Sequence, residues 1–323
     1  MRPDADRSSD DPQALYARAV RRLGRNARAG EPLDADDAHA LWQALLAQRY
    51  TAAQEAALLM ALRVHGEGPA VLAAFARATA AGGAQVRAPA GRAVVVLHAL
   101  GGARRQPLLA PLLALRLAAL EVPVLVLTYE AGPAAGSAAV LAALGHAPAP
   151  DGEQAAAQLA ARRLAWWPVE RWAPPLARLL ALRATLGFRN SAHAAARLVA
   201  PVQGRAVLVA QYTHAAYREA YAHAVVRLGL SALLVRGTEG DPVAREAQAH
   251  PPQAWLGGRA VALSAIAGSA AAGTAALPAP LDVAATARYT AAAAGAGGAV
   301  PVAIERQAQW LAALAARCTE EAG

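Results

Sequence analysis

At 323 residues the chain is long for one core and fits one large domain or two smaller ones. Its one cysteine, Cys318, excludes an internal disulfide and fits a reducing compartment, so a cytoplasmic protein is expected; the polar, acidic start MRPDADRSSDD shows no secretory signal. The net charge of +8 is carried by arginine alone, since the sequence holds no lysine, and a basic excess of this kind suits a polyanionic partner.

In chain order, Asp11-Pro12 reads as a helix start, an N-cap followed by proline at the first helical position. Three tightly connected helices follow. The first, Asp34 to Gln48, has Ala38, Leu41, Leu45 and Leu46 on one face. Thr51 and Gln54 form a capping box for the second, which ends before Gly66. Pro69 opens the third, closed by Gly82-Gly83. After Arg92 the period changes. Val94–Leu97 reads as a strand, about 108–120 as a helix, 123–127 as a strand and about 137–144 as a helix, a βαβ unit with a parallel sheet. Residues 155–185 are helical in composition, interrupted by Pro168, Pro174 and Pro175. Arg205–Gln211 and Ser231–Val235 are further strands around a helix at 217–228, and 302–317 is an amphipathic helix. The longest uncharged run, 260–281, is rich in Ala, Gly and Ser and holds two prolines. It reads as a buried helix plus loop rather than a membrane span, and no membrane partner is expected.

The charge is uneven. Residues 1–91 hold 11 Arg against 10 acids, residues 92–205 hold 12 against 5, and residues 206–323 hold 8 against 8, so the excess of +7 lies in the middle third. Codon bias explains a preference for Arg over Lys but not acids missing from one third only. Within that third, VVVLHALGGARRQ runs a strand into Gly101-Gly102, a turn able to cradle a phosphate, then places Arg104 and Arg105 at a helix start, where a bound anion would offset the unfavourable helix dipole. RRLAWWPVERW interleaves arginines with tryptophans; it reads as an amphipathic helix with its Trp residues in the core and Arg162 and Arg163 at least partly solvated. Around Gly187, Arg183, Arg189, His193 and Arg197 fall close to helical spacing, and no carboxylate stands near His193 in sequence to make it a base. Glu239 and Asp241 lie in a glycine-rich turn that reads as an ordinary polar turn before a magnesium site. With no Cys/His cluster and no Walker-type loop, no metal, cofactor or catalytic residue is expected.

The stretch at 33–78, GSAAVLAALG at 136–145 and LGFRNSAHAAARLVAP at 186–201, in this order, resemble the anthranilate phosphoribosyltransferase family and its class-IV relatives over about 12–245. The resemblance implies an α/β fold of the nucleoside phosphorylase/phosphoribosyltransferase kind. A small helical domain, 1–90 completed by helices near 155–185, would precede an α/β domain, 91–323, with a mainly parallel central sheet. The resembling family pairs through its N-terminal helices. A symmetric homodimer is therefore expected here, with Trp42, Leu58, Leu59 and Met60 among the apolar positions spread over more than one helix face.

The family's pyrophosphate loop, Gly-Thr-Gly-Gly-Asp, corresponds to Ala99-Leu100-Gly101-Gly102-Ala103, without the hydroxyl or the carboxylate. Its lysine- and serine-bearing segment corresponds to 127–133, its His-Pro-Ala-Met-Lys stretch falls near Trp172-Ala173-Pro174, and its magnesium-holding acidic pair aligns with Asp241-Pro242. Arg189 alone keeps the place of an anthranilate-binding arginine. LGFRNSAH and RGTEGD most resemble the YbiB-like paralogues, a subgroup described as dimeric, non-specifically nucleic-acid-binding and without transferase activity. The expectation is a sequence-independent binder of DNA or RNA through Arg104, Arg105, Arg162, Arg163, Arg178, Arg183, Arg189 and Arg197, with Gly101 and Gly102 a vestigial phosphate turn. A transferase acting on an altered phosphorylated substrate, held by Gly101, Gly102, Arg104 and Arg105, is the alternative, and an anion-sensing scaffold the third.

Overall fold

The computed structural model describes residues 11–24, 33–101, 107–131, 136–238, 241–244, 251–265 and 282–320. Four helices come first: α1 (Pro12–Leu23), α2 (Ala35–Leu46), α3 (Ala52–His65) and α4 (Pro69–Gly82). Their starts are those the sequence announces. The Asp11 carboxylate accepts from the Gln13 and Ala14 N–H groups, and both bonds of the Thr51/Gln54 capping box are made. Trp42, fully buried, stacks on Phe75 at 4.2 Å and donates its indole N–H to Thr79 Oγ1, which satisfies the one polar atom it carries inward.

The chain then passes through β1 (Val86–Arg87) into the sheet, as β2 (Val94–Ala99), α5 (Ala110–Ala119), β3 (Val124–Thr128), α6 (Ser137–Ala143), α7 (Gly152–Arg162) and β4 (Leu164–Pro168). It returns to the helical lobe for α8 (Val169–Trp172), α9 (Pro174–Leu186), α10 (Ser191–Ala195) and a 3-10 turn, Ala196–Leu198. It re-enters through β5 (Val202–Gln203), β6 (Ala206–Tyr212), α11 (Ala216–Leu228), β7 (Ser231–Thr238), β8 (Asp241–Ala244), β9 (Gln253–Leu256) and β10 (Arg259–Val261), and closes with α12 (Val283–Ala294) and α13 (Val302–Glu320). The sheet runs β10-β9-β7-β6-β2-β3-β4. Its five strands from β7 to β4 are parallel, and β9, β10 and β8 are antiparallel additions. The mainly parallel α/β architecture with a helical lobe is as expected from the sequence.

Strand residues alternate between two buried layers. Val96, Leu125, Trp167 and Leu208 pack toward the helical lobe, α7 and α11, while Val95, Val126, Trp166 and Val209 pack toward α5 and α13. The three crossings between lobes lie side by side. Ala84 N–H donates to Trp172 O, Val86 N–H to Pro201 O and Ala88 N–H to Gln203 O, at 2.7, 2.9 and 2.9 Å.

Several readings are corrected. LAWWP is a buried strand, β4, and not part of an amphipathic helix; α7 ends at Arg163, which takes a left-handed φ of 58°, and the chain turns straight into the sheet. The Trp residues are core, as read, with Trp166, Trp167 and Trp172 all buried. Of the helices near 155–185, α9 joins the helical lobe, but α7 packs on β4 and β1. The start of the 260–281 run is strand β10 and a 3-10 turn rather than a buried helix, and 266–281 lie outside the described residues. Among the described residues no helix is long and apolar enough to cross a membrane.

Candidate nucleic-acid interface

Gly187, at φ 77°, ends α9 with its N–H on Arg183 O. Three residues on, the buried Asn190 starts α10. Its Oδ1 accepts the Ala192 N–H, and its Nδ2 donates to Leu179 O at 2.7 Å, tying the new helix to the old one. This stop and restart holds Arg189 between helices and puts His193 and Arg197 one turn apart. The segment is anchored below by the buried His98 of β2, whose Nε2 lies 2.8 Å from Val199 O, while Gln211 Nε2 of β6 donates to His98 O.

Arg189, His193 and Arg197 converge with Arg63 of α3 on a cavity of about 70 Å³, closed on its other side by Thr213, His214 and Tyr217. Thr213 and His214 follow β6, so the cavity sits at the carboxyl ends of the parallel strands. That is where open α/β sheets bind ligands. Glu67, between α3 and α4, reaches the same place, and both of its oxygens are engaged: Oε1 accepts from Ser191 Oγ at 2.5 Å and Oε2 from Tyr217 Oη at 2.7 Å.

The electrostatics follow from burial and charge. Desolvation, with Arg197, Arg189 and Arg183 adding repulsion, pushes His193 down to about 3, so its ring is neutral at ordinary pH. Burial also lowers His98 to about 4. Burial and the Glu67 carboxylate raise the Tyr217 hydroxyl, keeping it a donor.

Of the sequence candidates, Arg189 and Arg197 line the cavity, and Arg183 lies close enough to act on His193. Gly101 follows β2 directly; Gly102, Arg104, Arg105 and Glu239 lie outside the described residues. Arg162 and Arg163 stand at the amino end of the edge strand β4, away from the carboxyl ends that carry the cavity, and Arg163 pairs with Glu121. Arg178 is committed to the helical lobe, where Nη1 contacts Glu55 Oε2 at 2.7 Å and Nη2 donates to Leu45 O at 2.6 Å. Arg63 is the residue sequence reasoning missed. Basic residues in the last turn of a helix are unremarkable, and only the placement of α10 beside α3 gives this one a role.

Asp241 is buried, and its Oδ2 accepts from the Leu109 and Ala110 N–H groups at 2.8 and 3.2 Å, capping α5. Desolvation raises it to about 7 against the pull of those donors. A carboxylate turned into a helix start and readily protonated does not suit a divalent cation.

Residues 21–83 match the family described as "Glycosyl transferase family, helical bundle domain". The chain is 33% identical over 229 residues to the "Uncharacterized protein YbiB" of Escherichia coli, covering 70% of this chain and 72% of that protein. The chain belongs to the YbiB branch of the anthranilate phosphoribosyltransferase-like family. An anthranilate phosphoribosyltransferase of Rubrobacter xylanophilus is 32% identical over 225 residues, covering 68% of this YbiB-branch chain and 65% of that protein. Solved structures share the fold. The Thermus thermophilus anthranilate phosphoribosyltransferase superposes at a TM-score of 0.60 with 23% identity, over 93% of this chain and 98% of its own. The Saccharomyces cerevisiae enzyme in complex with PRPP and Mg gives 0.69 with 13% identity, over 96% and 93%. In this YbiB-branch chain the carboxyl ends of the parallel strands carry the arginine-lined cavity.

Proposed function

We propose that this protein binds nucleic acid without sequence preference, through the arginine cluster at the carboxyl ends of its sheet. The observation that carries the reading is the convergence of Arg63, Arg189 and Arg197, with Arg183 nearby, from separate stretches of chain onto one cavity. Guanidinium groups bind phosphate with planar, paired donors. Such contacts position a backbone and carry no base information, so preference among sequences is slight. The middle third, with its excess of +7 over residues 92–205, supplies Arg183, Arg189 and Arg197, and Arg63 joins them from α3. Leu100, Ala103 and Pro242 stand in sequence where the resembling family carries hydroxyl and carboxylate groups, and Asp241 caps α5.

The protein acts as a homodimer through its N-terminal helices. Trp42, Leu58 and Leu59 are buried within the lobe and take no part, whereas Met60 and Val64 of α3, 46% and 67% exposed, present the apolar face a second copy covers.

The test is titration with single-stranded oligonucleotides across a salt series. Each phosphate neutralised on a single strand contributes roughly −0.7 to the slope of log K on log salt. Arg189→Ala/Arg197→Ala flattens that slope and weakens binding equally for all sequences. Binding indifferent to salt, or unchanged in the double variant, refutes the reading.

A further inference from the structure

We propose that the cavity between Arg63, Arg189 and Arg197 is a seat for a single phosphate monoester, the terminal phosphate of a strand or of a free nucleotide. This deepens the nucleic-acid reading, on which its strand-end form rests.

Size is the first argument. Pockets that enclose whole drug-sized ligands run to roughly 300–1,000 Å³. This one offers about 70 Å³, room for a compact group of a few heavy atoms but not for a base or a sugar with it. Shape is the second. The walls come from both lobes, with Arg63 on one side and Thr213 and Tyr217 on the other. An internal phosphodiester carries two ester oxygens that must leave in two directions. A terminal phosphate has one ester oxygen and can point its three free oxygens inward.

Charge is the third argument. Three guanidiniums border the cavity, and the carboxylate that comes with them, Glu67, already holds Ser191 and Tyr217. A phosphate monoester carries about −1.5 to −2 near neutral pH and matches several guanidiniums better than a diester's single charge. The neutral imidazole of His193, whose Nδ1 lies 3.3 Å from Asn190 Oδ1, lines the cavity without a charge of its own. Its burial among arginines also makes it a reporter: a dianion seated beside it favours the imidazolium, so its ring signals shift when the site fills.

The experiment compares oligonucleotides of one sequence with 5′-phosphate, 3′-phosphate or hydroxyl ends, together with inorganic phosphate, a nucleoside monophosphate and benzoate, using the full chain. Binding is read by fluorescence anisotropy and by the His193 ring resonances. A terminal phosphate is expected to tighten binding about tenfold, and inorganic phosphate to move the His193 signal and abolish that tenfold difference. Arg63→Ala/Arg197→Ala removes the preference for phosphorylated ends, while Arg162→Ala, at the amino end of β4, keeps it. A nucleoside monophosphate that shifts His193 where the oligonucleotide ends do not assigns the seat to free nucleotides. Equal affinity for all ends with no His193 response to phosphate overturns the seat and leaves the nucleic-acid reading standing. A His193 response to phosphate without any oligonucleotide binding overturns the nucleic-acid reading and keeps the seat. A response to benzoate but not to phosphate assigns the cavity to carboxylates and overturns the proposal.

Discussion

Arg178→Ala separates a structural arginine from a ligand-binding one. In the wild type its guanidinium spans two partners on different helices, Glu55 Oε2 and Leu45 O. Glu55 keeps 7% of its side chain exposed and Arg178 27%. Removing one member of a buried pair strands the other and costs about 3–5 kcal/mol. The partial exposure of Arg178 lets water reach part of the gap, which brings the expectation down to about 2–3 kcal/mol. For a chain of this size that is a fall in Tm of about 3–5 °C. Urea unfolding followed by circular dichroism measures the loss directly. Glu55→Gln/Arg178→Met, which leaves no lone charge, should recover about half of it. Nucleic-acid affinity and its salt slope should match the wild type at a temperature where both proteins are folded. Stability unchanged within about 0.5 kcal/mol, with a flattened salt slope, would refute the reasoning and place Arg178 on the ligand face.

The dimer contact is tested by Val64→Asp. The wild type should sediment as a dimer at micromolar concentration and the variant as a monomer, with unchanged helical content. Asp241, raised to about 7, keeps a proton in the native state that the unfolded chain has released above its ordinary value near 4. Its contribution to stability therefore declines as pH rises from about 4 to 7, and Asp241→Asn should remove that component from the difference between the two proteins' urea midpoints over this range. His98 and His193, depressed to about 4 and 3, act in the opposite sense. The unfolded chain takes up protons below about 6.5 that the native chain refuses, so these two erode stability as pH falls, and in the unliganded protein neither ring should titrate above pH 5 by NMR. With anthranilate, phosphoribosyl pyrophosphate and Mg²⁺, no turnover approaching roughly 1 per second is expected; a rate in the usual enzyme range would restore the transferase reading.

Much of the fold was legible because its signals are local. Asp11, Thr51 with Gln54, and Gly187 fix helix ends through bonds to their own neighbours. Val94–Ala99 and Val124–Thr128 are short apolar runs with no competing helical period. LAWWP was misread because a five-residue run buried on both faces has no period of its own, and the helix before it blurs the boundary. The β9–β10 hairpin carried a readable signal that went unused. Gly257-Gly258 between QAWL and RAV is a two-residue turn with both φ values positive, 53° and 78°. The site was only half legible. Arg183, Arg189 and Arg197 share one stretch of sequence, and the stop at Gly187 and restart at Asn190 bring them together. Arg63 and Glu67 arrive from more than a hundred residues away, and no local pattern marks them. Arg178 shares that stretch's composition yet points the other way, because charge counts carry no direction.

The three strand crossings have a mechanical consequence. A single linker leaves two bodies free to swivel and slide, whereas three adjacent segments, joined to each other by backbone hydrogen bonds, act as a strap. Sliding one lobe along the strap would break the bonds from Ala84 to Trp172, Val86 to Pro201 and Ala88 to Gln203 together, and twisting would shear them; flexing across it leaves all three intact. A jaw-like opening is resisted by a different set of contacts, the shared core that buries Leu72 and Phe75 of α4 with Tyr221 and Val225 of α11, and the Tyr217–Glu67 bond at 2.7 Å. The walls of the arginine cavity, Arg63 on one side and Thr213 on the other, are thereby held at a fixed spacing.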